Sequence, residues 1–218
     1  MMGRMLRTRN SRRWAATAGI LLLSAGSVRA FRGSYKPYRP EAPAYRQQGP
    51  SDAKAELAVF SDFQCPGCAQ GVEAVKRLEA LYPGALRVIY KHHPWFFHAA
   101  ARQAAVLAEC AGKQGKFWEL HDRLFANQEA WSESGKPEEF FTKYAAEAKL
   151  DQAALAACRK DPSTMALIDS DLKESDAHWV GSTPTFFLNG KRLVGLKQLR
   201  TTGVTELDRL TKAGKGAS

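Results

Sequence analysis

The chain is short of the features that would tie it to a membrane, a metal or a polyanion. No apolar run reaches the ~18 residues that a helix needs to span a bilayer. The five histidines show no H-x-x-x-H ligand spacing, so no metal is expected, and most should be ordinary surface or hydrogen-bonded residues. No segment repeats, which excludes solenoids and propellers. Acidic residues are missing from the first thirty positions, where Arg4, Arg7, Arg9, Arg12, Arg13 and Arg29 all lie. The net charge of +10 is therefore concentrated there; beyond it 26 basic residues face 22 acidic ones, a residual +4. That balance calls for no nucleic acid partner. Cysteine is scarce at four, an even number.

What is present begins with a leader pattern. "MMGRMLRTRNSRRW" is a basic segment, "WAATAGILLLSAG" a short apolar one, and Val28-Arg29-Ala30 puts a small residue at a cleavage position. Residues 1–30 read as a signal peptide, so the protein is expected in the periplasm or otherwise exported, or held at the membrane if the leader stays uncleaved. An oxidising compartment makes disulfides the default use of the cysteines. Residues 31–51, rich in Pro, Tyr and Arg, read as an extended linker. The folded domain is expected over 52–213, with a tail at 214–218.

Leu57 to Phe60 is an apolar run suited to a doubly buried strand. Cys68, Val72, Val75, Leu78 and Tyr82 then recur at helical spacing until Pro83-Gly84, and "LRVIY" is the next strand. This is a βαβ unit with its cysteines where the first strand meets the helix. Helical spacing follows near residues 99–111, 117–126, 137–149, 152–159 and 163–179, so an inserted α-helical domain is expected at about 97–180. "TPTFFLNGKRLVGL" reads as a hairpin about Asn189-Gly190, followed by a helix over about 197–212.

The stretch "FSDFQCPGCAQG" carries the chemistry. With Cys65 as N-cap, Pro66 falls at N1, where its missing N–H costs nothing. The sulfur then faces the free amides of Gly67 and Cys68 at the positive end of the helix dipole, which favours thiolate. Cys68, one turn in on the apolar face, is suited to resolving a mixed disulfide. Zinc through Cys65 and Cys68 lacks two further ligands at close spacing. A purely structural bridge across so short a loop confers little. Thr183-Pro184 opens a strand, and a cis proline there leaves the preceding peptide free to pair with a substrate chain.

"FSDFQCPGC", "GKFWELHDRLF" and "GSTPTFFLNG", in that order around a helical block, resemble the DsbA-like thiol–disulfide oxidoreductases of the thioredoxin superfamily. The resemblance implies an α/β thioredoxin-like fold with a helical insertion, and a redox pair in which Cys65 is the nucleophile and Cys68 the resolving cysteine. It places the substrate-positioning cis proline at Pro184, with Thr183 before it. It implies no cofactor, exported substrate proteins that carry cysteines, a membrane partner that resets the pair, and a monomer. Reductase, isomerase or a non-catalytic binding module of the same fold are the alternatives. Two departures stand out. Val59 occupies the position where many members bury a carboxylic acid, so Cys68 is expected to exchange its proton slowly or through water. Glu56 and Asp62 are nearby but not at that place. Gly67 stands where strongly oxidising members have histidine, so a moderate oxidant is expected.

Cys110 and Cys158 each lie on an apolar helix face, and a structural disulfide between them is expected, with two buried free thiols as the alternative. "HHPWFF" could line a substrate groove, with Phe96 or Phe97 expected to pack in the core. Trp118 and Phe125 are expected to be core.

Overall fold

A computed structural model describes residues 38–212. The leader at 1–30 and the tail at 214–218 lie outside the described residues. Among the described residues no helix is long and apolar enough to cross a membrane.

Strand β1 (Gln47–Gln48) is an edge, and β2 (Ala55–Ser61) is the centre of the sheet. Apart from Glu56, β2 is buried on both faces, as its apolar run requires. Helix α1 (Pro66–Leu81) crosses from β2 to β3 (Leu86–His92), which lies parallel to β2 with Leu57 opposite Val88 and Val59 opposite Tyr90. The residues of α1 that face the sheet are Cys68, Gly71, Ala74, Val75 and Leu78, a helical stripe. On the other side of β2, β4 (Thr185–Leu188) runs antiparallel with Val59 opposite Phe186, and β5 (Lys191–Val194) completes the hairpin. Asn189 (φ 46°) and Gly190 (φ 81°) make its turn, a left-handed pair that these residues tolerate. The sheet order is β1-β3-β2-β4-β5.

The helical block separates β3 from β4. It comprises α2 (Ala101–Gly112), α3 (Phe117–Ala126), α4 (Gln128–Ser132), α5 (Pro137–Glu147), α6 (Gln152–Lys160) and α7 (Pro162–Ala177). Asp151 caps α6 by accepting from the Ala154 amide, and Asp161 caps α7 by accepting from the Ser163 amide. Helix α4 is too short to show a period in sequence; it buries Trp131, whose Nε1 donates to Leu124 O at 2.8 Å. Leu107, Leu120, Leu124, Trp131 and Phe141 share one core with Phe63, Cys68 and Tyr90, so the block packs directly against the cysteine turn. Cys110 on α2 and Cys158 on α6 are joined, with sulfurs 2.09 Å apart. The final helix is not continuous: α8 (Gly195–Gln198) passes through a wider π turn (Leu199–Gly203) into α9 (Val204–Lys212).

Two expectations need correction. Residues 38–50 are not a linker but part of the domain. The Tyr38 ring sits 4.4 Å from Phe187 and 4.5 Å from His178, and Gln47 and Gln48 pair with Ile89 and Val88. Tyr45 lies on Gly112 so closely that a Cβ there would meet the ring at 2.3 Å, and its hydroxyl donates to Glu109 at 2.7 Å. Arg46 is fully buried and pairs with Glu109 and Asp171. Lys91 reaches Asp171 at 2.6 Å and Glu174 at 2.8 Å, and His92 reaches Glu109 at 2.9 Å. These anchors are single residues at irregular intervals, so no periodic signal marks them. The second correction concerns Phe96 and Phe97, which are 94% and 61% exposed rather than core. The turn after β3 buries His93 and Pro94 and half-buries Trp95.

Candidate active site

Cys65 precedes α1 with extended backbone (φ −82°, ψ 119°), and Pro66 opens the helix. Cys65 is half-buried; Cys68 is only 1% exposed, and both are free thiols. The Thr183–Pro184 peptide is cis and lies across from them. Cys65 Sγ is 3.5 Å from Thr183 O. A Cβ on Gly67 would touch Pro184 Cδ at 3.4 Å, and one on Gly71 would touch Pro184 Cγ at 3.4 Å. The fold thus brings together Cys65, Cys68, Thr183 and Pro184, separated by more than a hundred residues of chain. The Cys110–Cys158 bridge belongs to the helical block, apart from this cluster.

The Cys65 thiol is pulled down to about 5. The largest cause is a hydrogen bond from the Cys68 thiol. Burial opposes it, and the Thr183 side chain and the amides of Cys68 and Gly67 add smaller contributions. The sulfur closes no regular cap bond onto those amides, consistent with their rank. The helix head is therefore secondary to Cys68 in holding the thiolate. Cys68 moves the opposite way: burial first, then the hydrogen bond and charge of Cys65, push its thiol well up. One sulfur is held as an anion near neutral pH and its neighbour as a protonated donor, so the two thiols differ in reactivity.

Several residues that build the site gave no clear sequence signal. Asp62 is fully buried at the end of β2. Its carboxylate accepts from the Gln64 amide (2.7 Å), the Trp95 amide (2.8 Å) and His98 Nδ1 (2.7 Å). Its own amide donates to Cys68 Sγ at 3.4 Å. Gln128, on the unexpected helix α4, donates to Phe63 O (2.7 Å) and Cys65 O (3.0 Å). Trp95 Nε1 donates to Thr183 Oγ1 at 3.0 Å, which leaves the threonine hydroxyl its own hydrogen for the Cys65 sulfur. Trp95 also stacks on Phe97, with centroids 5.4 Å apart at 13°. Phe96 and Phe97 thus stand exposed on the segment that holds Thr183. Glu56 lies elsewhere, near the start of β2, with Arg87 at 3.8 Å.

A mixed sheet with a helical insertion, and a Cys-Pro-Gly-Cys turn facing a cis proline, define a thioredoxin-fold protein with a dithiol site. The chain belongs to the thioredoxin family, whose model, described as Thioredoxin, matches residues 41–203, and it is DsbA-like within that superfamily. It is similar in structure to alpha-DsbA1 of Wolbachia pipientis, with TM-score 0.69 and 20% identity over 82% of this chain and 96% of that one. It is also similar to DsbA2 of Pseudomonas aeruginosa, with TM-score 0.60 and 27% identity over 79% of this chain and 98% of that one. In sequence it is 35% identical over 146 residues to the Na(+)/H(+) antiporter NhaA 3 of Salinispora tropica, covering 66% of this chain and 22% of that protein. The chain spans about a fifth of the length of that curated relative.

Proposed function

We propose that the protein is an exported thiol–disulfide oxidoreductase that works as a moderate oxidase on secreted or periplasmic proteins carrying cysteines. In the oxidised state a substrate thiolate attacks Cys65 Sγ. The Cys65–Cys68 bond breaks, Cys68 leaves and takes up a proton, and a mixed disulfide forms. A second substrate thiolate then attacks its own cysteine's sulfur in that bond and releases Cys65 as thiolate. The substrate has lost two electrons and the enzyme has gained them; a membrane redox partner removes them. A low-pKa thiol is the better leaving group, so the acidity of Cys65 drives the release. Thr183 and Pro184 hold the substrate chain extended beside Cys65. The cycle uses one copy of the chain and no cofactor.

The observation that carries this reading is the half-exposed Cys65 thiol, pulled down to about 5 beside a buried, protonated Cys68. That acidity falls between the ~7 of thioredoxin and the ~3.5 of the strongest oxidant of the class. A potential between about −270 and −120 mV is expected, to be measured by equilibration with glutathione. Thr183 supports a second reading, reductase or isomerase, because isomerases resembling this fold often carry threonine there. Antiport is not carried over, since the match covers so little of the relative that bears that name. The test is oxidative refolding of a reduced, unfolded substrate by the oxidised protein. Stoichiometric disulfide transfer that disappears in Cys65→Ser supports the proposal. Equal inactivity of both proteins shows a binding module, and a potential near that of thioredoxin shows a reductase.

A further inference from the structure

The resolving thiol needs a proton acceptor, and the residue below it is Val59. A cavity of about 50 Å³ lies there, lined by Val59, Cys68, Tyr90, Trp118 and His121 and reaching Glu79, Lys76 and Asp122 at its mouth. By the measure in which ~10–15 Å³ of such space admits one water, it has room for several. Trp118 Nε1, a buried donor on its wall, has no hydrogen-bond partner among the described residues, and Tyr90 Oη has only the Ser61 side chain beside it. Tyr90 is 2% exposed. Burying a donor such as Trp118 Nε1 unpaired costs about 1–3 kcal/mol, so water is the partner that the wall calls for.

His121 is 4% exposed and packs edge-on against Tyr90, with centroids 5.1 Å apart. Its Nδ1 is 2.9 Å from Asp122 Oδ1, and Asp122 Oδ2 is 2.9 Å from Lys76 Nζ. Burial tends to raise the Asp122 carboxyl, but His121 and Lys76 outweigh it and hold it below its usual range. An ionised carboxylate only accepts, so Nδ1 carries the hydrogen and Nε2 is the free acceptor. Burial also lowers His121, against the opposing pull of Asp122, which keeps the ring neutral near pH 7. Asp122 and Lys76 are each 47% exposed and open the chain of groups to solvent. Glu79, held by Gln48 at 3.0 Å, is the other carboxylate facing this space, and burial raises it.

We propose that water in this cavity links Cys68 to His121, and that the His121–Asp122 pair moves the proton that a buried carboxylic acid would otherwise move. In resolution, the Cys68 S–H proton passes through water to His121 Nε2. The Cys68 thiolate attacks Cys65 in the mixed disulfide, the Cys65–Cys68 bond forms, and the partner leaves as thiolate. The imidazolium, stabilised by Asp122, then loses its proton to solvent. When a substrate thiolate opens the enzyme disulfide, the same path returns a proton to Cys68. The proposal rests on the redox role given above for Cys65 and Cys68.

The test uses glutathione disulfide and the reduced protein. Cys65 reacts first, in a phase proportional to glutathione disulfide concentration; Cys68 then resolves, in a concentration-independent phase. His121→Asn is expected to leave the first phase and the pH titration of Cys65 unchanged. It should slow the second phase about 10- to 100-fold at pH 7, the low end of general acid–base effects. The step in the second-phase rate that tracks His121 ionisation should disappear, and Val59→Glu added to His121→Asn should recover most of the rate. A second phase within twofold of the parent, with its pH profile intact, overturns the relay and leaves the redox site standing. No first phase in the parent protein overturns the redox site itself. Should His121→Asn not fold, a high-resolution crystal structure decides: ordered water bonded to Tyr90 Oη and Trp118 Nε1 supports the relay, and a dry cavity refutes it.

Discussion

Removing the Cys68 thiol should change the acidity of Cys65 more than any change at the helix head. The Cys68 S–H donates to the Cys65 thiolate and is the largest of the influences that bring it to about 5. A hydrogen bond to a charged group contributes ~1.5–3 kcal/mol, and at ~1.4 kcal/mol per tenfold this is roughly a 10- to 150-fold change in the ionisation constant. Cys68→Ala should weaken the acidity of Cys65 by about that factor. Cys68→Ser, whose hydroxyl still donates, should weaken it far less. Thiolate absorbance or the pH dependence of iodoacetamide alkylation reads both. The sign also appears in stability. The folded value of Cys65 lies below that of a free thiol (~8.5), so its stabilisation of the reduced protein is complete above about pH 9 and is lost as pH falls through about 5. Because Cys65 is half-exposed, solvent screening should reduce the effect at pH 7 to about 1–2 kcal/mol. Urea unfolding of the reduced protein across this range should show the loss, and Cys68→Ala should shrink it. If alanine and serine at position 68 leave Cys65 with the same acidity as the parent, the helix amides hold the thiolate and the reasoning fails.

Two further outcomes are expected. Cys110→Ala with Cys158→Ala opens a bridge across a separation of 48 residues, and should cost ~4 kcal/mol in the chain-entropy model, read as a lower urea midpoint with Cys65 alkylation unaffected; an unchanged midpoint refutes a stabilising role. Phe96→Ser with Phe97→Ser removes the aromatic rings exposed beside Thr183. It should lower kcat/KM for oxidation of an unfolded protein by roughly 5- to 30-fold, about 1–2 kcal/mol of lost apolar contact. The reaction with glutathione disulfide should be untouched, and a parallel loss there shows a structural defect instead.

The βαβ unit, the hairpin and most helices were legible because the inner strands are continuous apolar runs and the helices bury a periodic apolar face. Asn189-Gly190 and Pro83-Gly84 marked the turns by backbone preference alone. The segment at 38–50 was not legible: Tyr38, Tyr45 and Arg46 anchor it to partners on β4, α2 and α7, and nothing local shows that those partners exist. Phe96 and Phe97 were misjudged because apolar composition does not say which way a turn faces. Asp62, Trp95 and Gln128 were missed as site residues for a similar reason. Each is unremarkable in its own stretch and acts by reaching across to another.

The order of elements, the placement of Cys65 at a helix start with Pro66 behind it, and the lack of an acid at Val59 follow from neighbours along the chain. Folding in three dimensions is what makes Cys68 outrank the helix amides in acidifying Cys65, sets Thr183 O 3.5 Å from its sulfur, and lines a cavity under the pair with Tyr90, Trp118 and His121. Hydrogen bonding, burial and charge act through space over a few ångströms, and it is the packing of β2, β3, α1 and α3 that brings these groups within that range.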